Sequence, residues 1–222
     1  MSSKPTKNGS TKHRAIRGYS DLTVEDLKQM FGIKADVKSL FKKVASVSPT
    51  SWLLESLEKG QENALVSEKA RSEFIVTPIL IFAQSLSNQR ISLYSGIRMD
   101  IDPEKGLKGV CDFVFSSSPP LPFLEAPLMV LVEAKKNDVE EGIGQCAAEM
   151  VAAQIFNAER GNQIASIHGC VTTGTDWQFL RLTGKELLVD KERYFLRDLE
   201  KILGILKTLL SSTSSKPKRG KK

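Results

Sequence analysis

Helical spacing of apolar residues recurs in several stretches of the chain. Apolar positions three and four residues apart indicate amphipathic helices, and Gly or Thr at the ends supply stop and start signals. The predicted helical segments are 23–32, 36–44, 49–60, 62–86, 139–160 and 191–210. Pro78 lies inside the fourth, where it should bend the helix or mark a break.

Between the last three helices the pattern changes to short apolar runs, which favour β-strands. The predicted strands are 91–101, 107–115, 128–136, 164–173 and 177–182. The run that begins at Leu128 is apolar at almost every position, as in a strand covered on both faces. Four prolines within 116–127 predict a loop there. The order of elements predicts an α/β fold with a mixed central sheet flanked by helices.

Charge divides the chain into a body and two ends. Residues 1–17 and 211–222 each hold five basic and no acidic residues, so the remaining body has 22 basic against 26 acidic residues, a net of −4. We therefore expect a disordered basic arm over 1–19, a helical extension over 20–60, one domain over 61–210 and a disordered basic tail over 211–222. Basic arms favour salt-sensitive contact with a polyanion, although solvated ends without a partner have the same composition.

Composition excludes several classes of function. The chain has 222 residues, two histidines and three cysteines, with no C-x-x-C spacing, which argues against a zinc ribbon and a disulfide framework. No apolar run is long enough to cross a membrane, and no apolar leader is visible near the N-terminus. We expect an intracellular protein, in the cytoplasm or nucleus and not secreted, without a membrane partner.

Three charged residues interrupt the apolar strands. Asp112 is the lone charge in 110–115, and Glu133 and Lys135 end the strand that begins at Leu128. Positions i and i+2 of a strand share a face, so Glu133 and Lys135 should meet. If the two strands are neighbours, Asp112 and Glu133 lie side by side and repel unless a cation or a proton lies between them. Mg²⁺ is typically held by one or two carboxylates.

This arrangement resembles the PD-(D/E)XK nuclease superfamily, whose signature is an acid on the second core strand followed by acid-x-Lys on the third. Asp112 and Glu133-Ala134-Lys135 take these places. The family often adds a Glu in the first core helix, where Glu73 is the candidate and Glu68 a competitor, and a Gln early in the helix after the third strand, where Gln145 fits. Cys111 replaces the Pro of the signature, which is frequent in the superfamily.

The resemblance implies a restriction-endonuclease-like αβββαβ core with an N-terminal helical extension, and Mg²⁺-dependent hydrolysis of DNA phosphodiester bonds, with Mn²⁺ as an alternative metal. It implies metal ligation by Asp112, Glu133 and the Ala134 carbonyl, and a catalytic set completed by Lys135, Gln145 and Glu73. RNA stays open as a substrate, and a homodimer stays open as the assembly.

Other interpretations of the same residues remain. Glu133 and Lys135 can form a structural salt bridge, Glu73 can be an exposed helix acid, and Gln145 a helix-surface amide. The fold can also serve as an inactive module for nucleic-acid binding or complex assembly, or as a component of a larger complex with residues 20–60 docking a partner.

Overall fold

The structure is a computed structural model that describes residues 16–64 and 66–211. The described helices are α1 (Val24–Phe31), α2 (Ser51–Asn63), α3 (Glu68–Arg71), α4 (Thr77–Ser85), α5 (Glu140–Glu159) and α6 (Leu199–Ser211), with a π-helical turn at Ser72–Val76 and 3₁₀ turns at Tyr19–Asp21, Pro103–Lys105 and Leu196–Asp198. The described strands are β1 (Lys34–Lys38), β2 (Ser92–Arg98), β3 (Val110–Ser116), β4 (Leu128–Ala134), β5 (Ile167–Thr172), β6 (Asp176–Thr183), β7 (Glu186–Asp190) and β8 (Tyr194–Phe195).

The strands form one mixed sheet in the order β1-β7-β6-β5-β4-β3-β2, with β8 also paired to β6. β4 and β5 are parallel, as are β1 and β7, whereas the other neighbours are antiparallel. Helices cover both faces of this sheet. The prediction of an α/β fold with a mixed sheet between helices is confirmed.

The central strand β4 is buried along its whole length because apolar layers lie on both sides of it. Val130 and Val132 face a core shared with α2, α4 and α6. Leu131 faces a second core that is built with α1 and α5. The predicted two-sided burial of this strand is therefore confirmed, and it explains why the charges at its end stand out.

The N-terminal helix α1 begins and ends where the sequence predicts. Thr23 and Asp26 form a capping box at its start. Gly32 ends it with φ of 68°, a left-handed conformation that glycine adopts without strain. The helix leads directly into β1, which the sequence pattern did not predict.

Several predicted helical boundaries were wrong. The segment 36–44 was expected to be helical, but β1 occupies its start and pairs with β7 in a parallel edge ladder. Segment 62–86 was expected to be one helix, but α2 ends at Asn63 and the chain resumes in α3, the π-helical turn and α4. Pro78 lies at the start of α4, directly after the π-helical turn, where the backbone stays right-handed helical and the Thr77 N–H bonds the Ser72 carbonyl.

The C-terminal helix is also shorter than expected, since β8 and a 3₁₀ turn precede α6. β7 is a further strand that the pattern did not reveal. The predicted basic arm and tail fall mainly on residues 1–15 and 212–222, outside the described part of the chain. At the inner end of the predicted arm, Tyr19 is buried at 2% exposure, so this residue belongs to the packed fold and not to a solvated arm. None of the described helices is long and apolar enough to span a membrane.

Candidate functional site

The charged residues of β3 and β4 lie where the ladder between these strands ends. The last paired residues are Phe113 and Val132. Just beyond them, Asp112 accepts a hydrogen bond from the Ala134 N–H at 2.8 Å. This side-chain bond replaces a ladder bond and fixes the Asp112 carboxylate against the end of β4.

Glu133 and Lys135 meet on the face of the sheet that α5 covers. The Lys135 Nζ donates to Glu133 Oε1 at 2.7 Å and to Gln145 Oε1 at 2.9 Å. The predicted same-face contact of Glu133 and Lys135 is therefore present. Gln145 is not a plain surface amide, because its side chain holds the lysine from the first part of α5.

A glycine in the first turn of α5 permits this close approach. A Cβ at Gly142 would lie 2.5 Å from the Val171 side chain and 3.1 Å from the Lys135 Cγ. Contacts under 3 Å are not tolerated, so any larger residue would push α5 away from the sheet. Gly142 thereby brings Gln145 within reach of Lys135.

Asp112 borders a cleft on the other side of the strand ends. The cleft has a volume of about 230 Å³ and is lined by Asp112 and Ala134 together with residues of α3 and the π-helical turn. Glu68 and Glu73 both line it. Glu73 is half exposed and forms an ion pair with Lys69 at 2.6 Å, whereas Glu68 is the acid whose charge acts on Asp112 and Lys135.

Burial dominates the electrostatics of these groups. It raises the pKa of Asp112, against the opposing effects of the Ala134 hydrogen bond and the Lys135 charge. Burial, together with the nearby Asp112 charge, raises the pKa of Glu133 to about 7. Burial lowers the pKa of Lys135, but the adjacent Glu133 outweighs it, so the net shift is upward and Lys135 remains an ammonium group.

Glu149 is a member of this cluster that the sequence interpretation missed. It is fully buried on α5 and accepts a hydrogen bond from Gln145 Nε2 at 3.2 Å. Burial and then the Glu133 charge raise its pKa well above the usual range. The buried Oε2 atoms of Glu133 and Glu149 have no other donor among the described residues, and the two carboxyl groups interact directly with each other. In the sequence, Glu149 is an isolated acid among apolar residues. Its position four residues after Gln145 places both side chains on the same face of α5, and this spacing could have indicated that Glu149 joins the site.

The predicted residues thus come together in part. Asp112, Glu133, Lys135 and Gln145 lie around one end of the β3–β4 pair, with Ala134 between the carboxylates. Asp112 opens to the cleft and Glu133 lies beneath α5, so the two acids flank the strand end rather than sharing one surface. Within residues 16–64 and 66–211, no three side chains among His, Cys, Asp and Glu form a group that could hold a metal ion.

Comparison with known proteins adds no family assignment. The sequence matches no protein-family model, and no curated protein matches it significantly. The geometry of the site is therefore the basis on which a function can be assigned.

Proposed function

We propose that this protein is a metal-dependent endonuclease of the PD-(D/E)XK type that hydrolyses phosphodiester bonds in DNA. The observation that carries the proposal is the gathering of Asp112, Glu133 and Lys135 at one end of two adjacent strands, with Gln145 bonded to the lysine. The succession α4, β2, β3, β4, α5, β5 supports it, because this is the αβββαβ order that the resemblance implies.

The donor atoms are of the type that a hard divalent cation prefers, but Asp112 and Glu133 lie on opposite sides of the strand end, so a cation shared by both would require their side chains to turn toward each other. Asp112, Glu133 and the Ala134 carbonyl offer only oxygen, and Mg²⁺ commonly uses one or two protein carboxylates plus water and phosphate. Glu133 is buried beside the Glu149 carboxyl group, and a bound cation would compensate the charge of Glu133 in place of a proton. Bound there, Mg²⁺ or Mn²⁺ supplies Lewis acidity, which lowers the pKa of its water and screens charge on the phosphate.

The side chains around these donors have separate tasks. Lys135 presents a fixed ammonium that orients the attacking water and stabilises negative charge on the phosphate. Gln145 holds that ammonium and restricts its rotamers. Glu73 and Glu68 face the same cleft as Asp112, so either carboxylate can bind a cation through water.

The test is cleavage of supercoiled and linear DNA with Mg²⁺ or Mn²⁺, and with a chelator instead. We expect Asp112→Asn and Lys135→Met each to lower the rate by about 100-fold or more, because Asn keeps an acceptor for the Ala134 N–H while losing the charge. Glu55→Gln and Lys59→Gln, which remove exposed charges on α2, should leave the rate unchanged. Metal-dependent cleavage that survives both site variants contradicts the assignment.

A second candidate is a nuclease-like module that binds nucleic acid or assembles a complex without cutting. It is favoured by the absence of a three-ligand group among the described residues and by the acidic balance of the body. In that case the protein binds DNA with the same affinity in the presence and absence of divalent metal, and no product forms at any metal concentration.

A further inference from the structure

A second cavity lies beside the candidate site and is lined by basic residues. It has a volume of about 310 Å³, and its walls include three cationic side chains, Arg17, Arg98 and Lys108, together with Gln145. No acidic residue is among the residues that line it. We call this group of three cations and the space between them the cation cavity.

The walls of the cation cavity are held by buried contacts. Tyr19, two residues after Arg17, is buried and donates from its hydroxyl to the Met99 carbonyl at 2.7 Å. Its backbone N–H donates to the Lys108 carbonyl at 3.1 Å. These bonds fix residues 17–19 against the turn that precedes β3, so that Arg17 lies close to Lys108.

Gly109 packs against the ring of Tyr19 and must be a glycine there. Gly109 has φ of 146°, and a Cβ there would lie 3.1 Å from the Tyr19 ring. Gly109 therefore permits both the backbone conformation and the close packing of Tyr19. The fold therefore fixes the backbone that carries Arg17 and Lys108, while the side chains of Arg17 and Arg98 are exposed.

The positive charge of the cation cavity is only partly compensated. Arg98 donates from Nε to Asp100 at 2.8 Å, and the other oxygen of Asp100 accepts from the Gly109 N–H at 3.0 Å. Arg17 and Lys108 have no side-chain ion pair in the described part of the chain. Asp21 is a second nearby acid, because its carboxylate accepts from the Arg17 backbone N–H at 2.8 Å. Three cations against two acids leave the cavity with a small net positive charge on a body that is acidic overall.

One side chain separates the cation cavity from the candidate catalytic lysine. Gln145 lines the cavity, and its Oε1 accepts from Lys135 at 2.9 Å. A polynucleotide bound at Lys135 carries further phosphates on both sides of the one that reacts. The cation cavity is placed to receive one of them.

We propose that the cation cavity binds a backbone phosphate of the nucleic acid, next to the phosphate that is cleaved. The inference rests on the proposed function, since it assumes a polynucleotide at Lys135. Arg and Lys contacts to phosphate set the position and register of the nucleic acid without reading its bases. The cation cavity therefore binds phosphate whatever the base sequence is.

The test compares Arg98→Gln/Lys108→Gln with a control, Lys59→Gln/Lys207→Gln, that removes two exposed charges elsewhere. Binding of a fluorescein-labelled duplex is measured by anisotropy without divalent metal, over a series of salt concentrations. We expect the cavity variant to raise Kd about 10-fold or more, and to reduce the slope of log Kd against log salt by about 0.9 for each phosphate that it no longer neutralises. The control removes the same number of positive charges away from the cavity, so we expect its Kd and its salt slope to stay close to those of the wild-type protein.

Cleavage by the same variants separates the two proposals. We expect the cavity variant to raise KM while kcat at saturating DNA stays within about 3-fold, because the reacting groups are intact. If the wild-type protein cleaves DNA and the cavity variant behaves like the control, the cation cavity is excluded and the proposed function stands. If the wild-type protein neither binds nor cleaves DNA, both are overturned.

Discussion

At the scale of single residues, His168 is a titratable group with a defined stability effect. It lies opposite Arg181 in the β5–β6 ladder, and burial, followed by the Arg181 charge, lowers its pKa to about 4. The unfolded chain takes up a proton near pH 6.5, whereas the folded chain does not. We expect the free energy of unfolding to lose about 2 kcal/mol from this group between pH 7 and pH 5.

The measurement is urea unfolding at both pH values for the parent protein and for His168→Gln. Glu133, with its pKa raised to about 7, shifts stability in the opposite direction over the same range, so the informative quantity is the difference between the two proteins. The variant should gain stability relative to the parent as the pH falls. Parallel pH profiles would show that His168 is not held neutral.

The residue scale also shows what the sequence can reveal about the site. Asp112 and Glu133 could be predicted because a lone carboxylate in an apolar strand is costly to bury and so indicates a partner. Glu149 has the same signature, but it lies on a helix in which both faces are largely buried. On a helix, the alternation of a strand is not available to show which face an isolated acid occupies. Glu149 lies near Glu133 only because α5 packs against β4, which the sequence does not show.

At the scale of elements, one glycine sets the position of α6. A Cβ at Gly204 would lie 2.1 Å from the Ala45 carbonyl oxygen, so the helix and the segment before α2 are in backbone contact. Ala normally stabilises a helix by about 1 kcal/mol relative to Gly. We expect Gly204→Ala to destabilise the protein instead, by about 1–3 kcal/mol, because the backbone must move.

Thermal unfolding measures this effect, with Lys207→Ala as the control at an exposed position on the same helix. The control should lie within about 0.5 kcal/mol of the parent, as surface changes usually do. A stabilised Gly204→Ala variant would contradict the close contact between α6 and Ala45.

Element boundaries could be predicted only where local signals decide them. The capping box and Gly32 define α1 within the sequence itself. β1 has no such signal, because all five of its residues are exposed and its partner β7 lies about 150 residues away. The break between α2 and α4 likewise depends on packing, since a Cβ at Gly60 would lie 2.3 Å from the Phe74 carbonyl of the π-helical turn.

At the scale of the whole molecule, the sheet separates two apolar cores, and the candidate site lies at the end of its central strand β4. Both cores contact β4, so the strand that carries Glu133 and leads into Lys135 is buried on both faces. The carboxylate cleft lies on one side of this end and the cation cavity on the other. A polyanion that crosses the strand ends can contact both.

The most direct test of this account is a calorimetric titration of the full chain with Mn²⁺. We predict saturable binding to the wild-type protein that is lost in Asp112→Asn and retained in Glu104→Gln, which removes an exposed acid at Pro103–Lys105. Binding of equal affinity in Asp112→Asn, or no binding to the wild-type protein, would contradict the claim that the acids at the ends of β3 and β4 form a divalent-cation site.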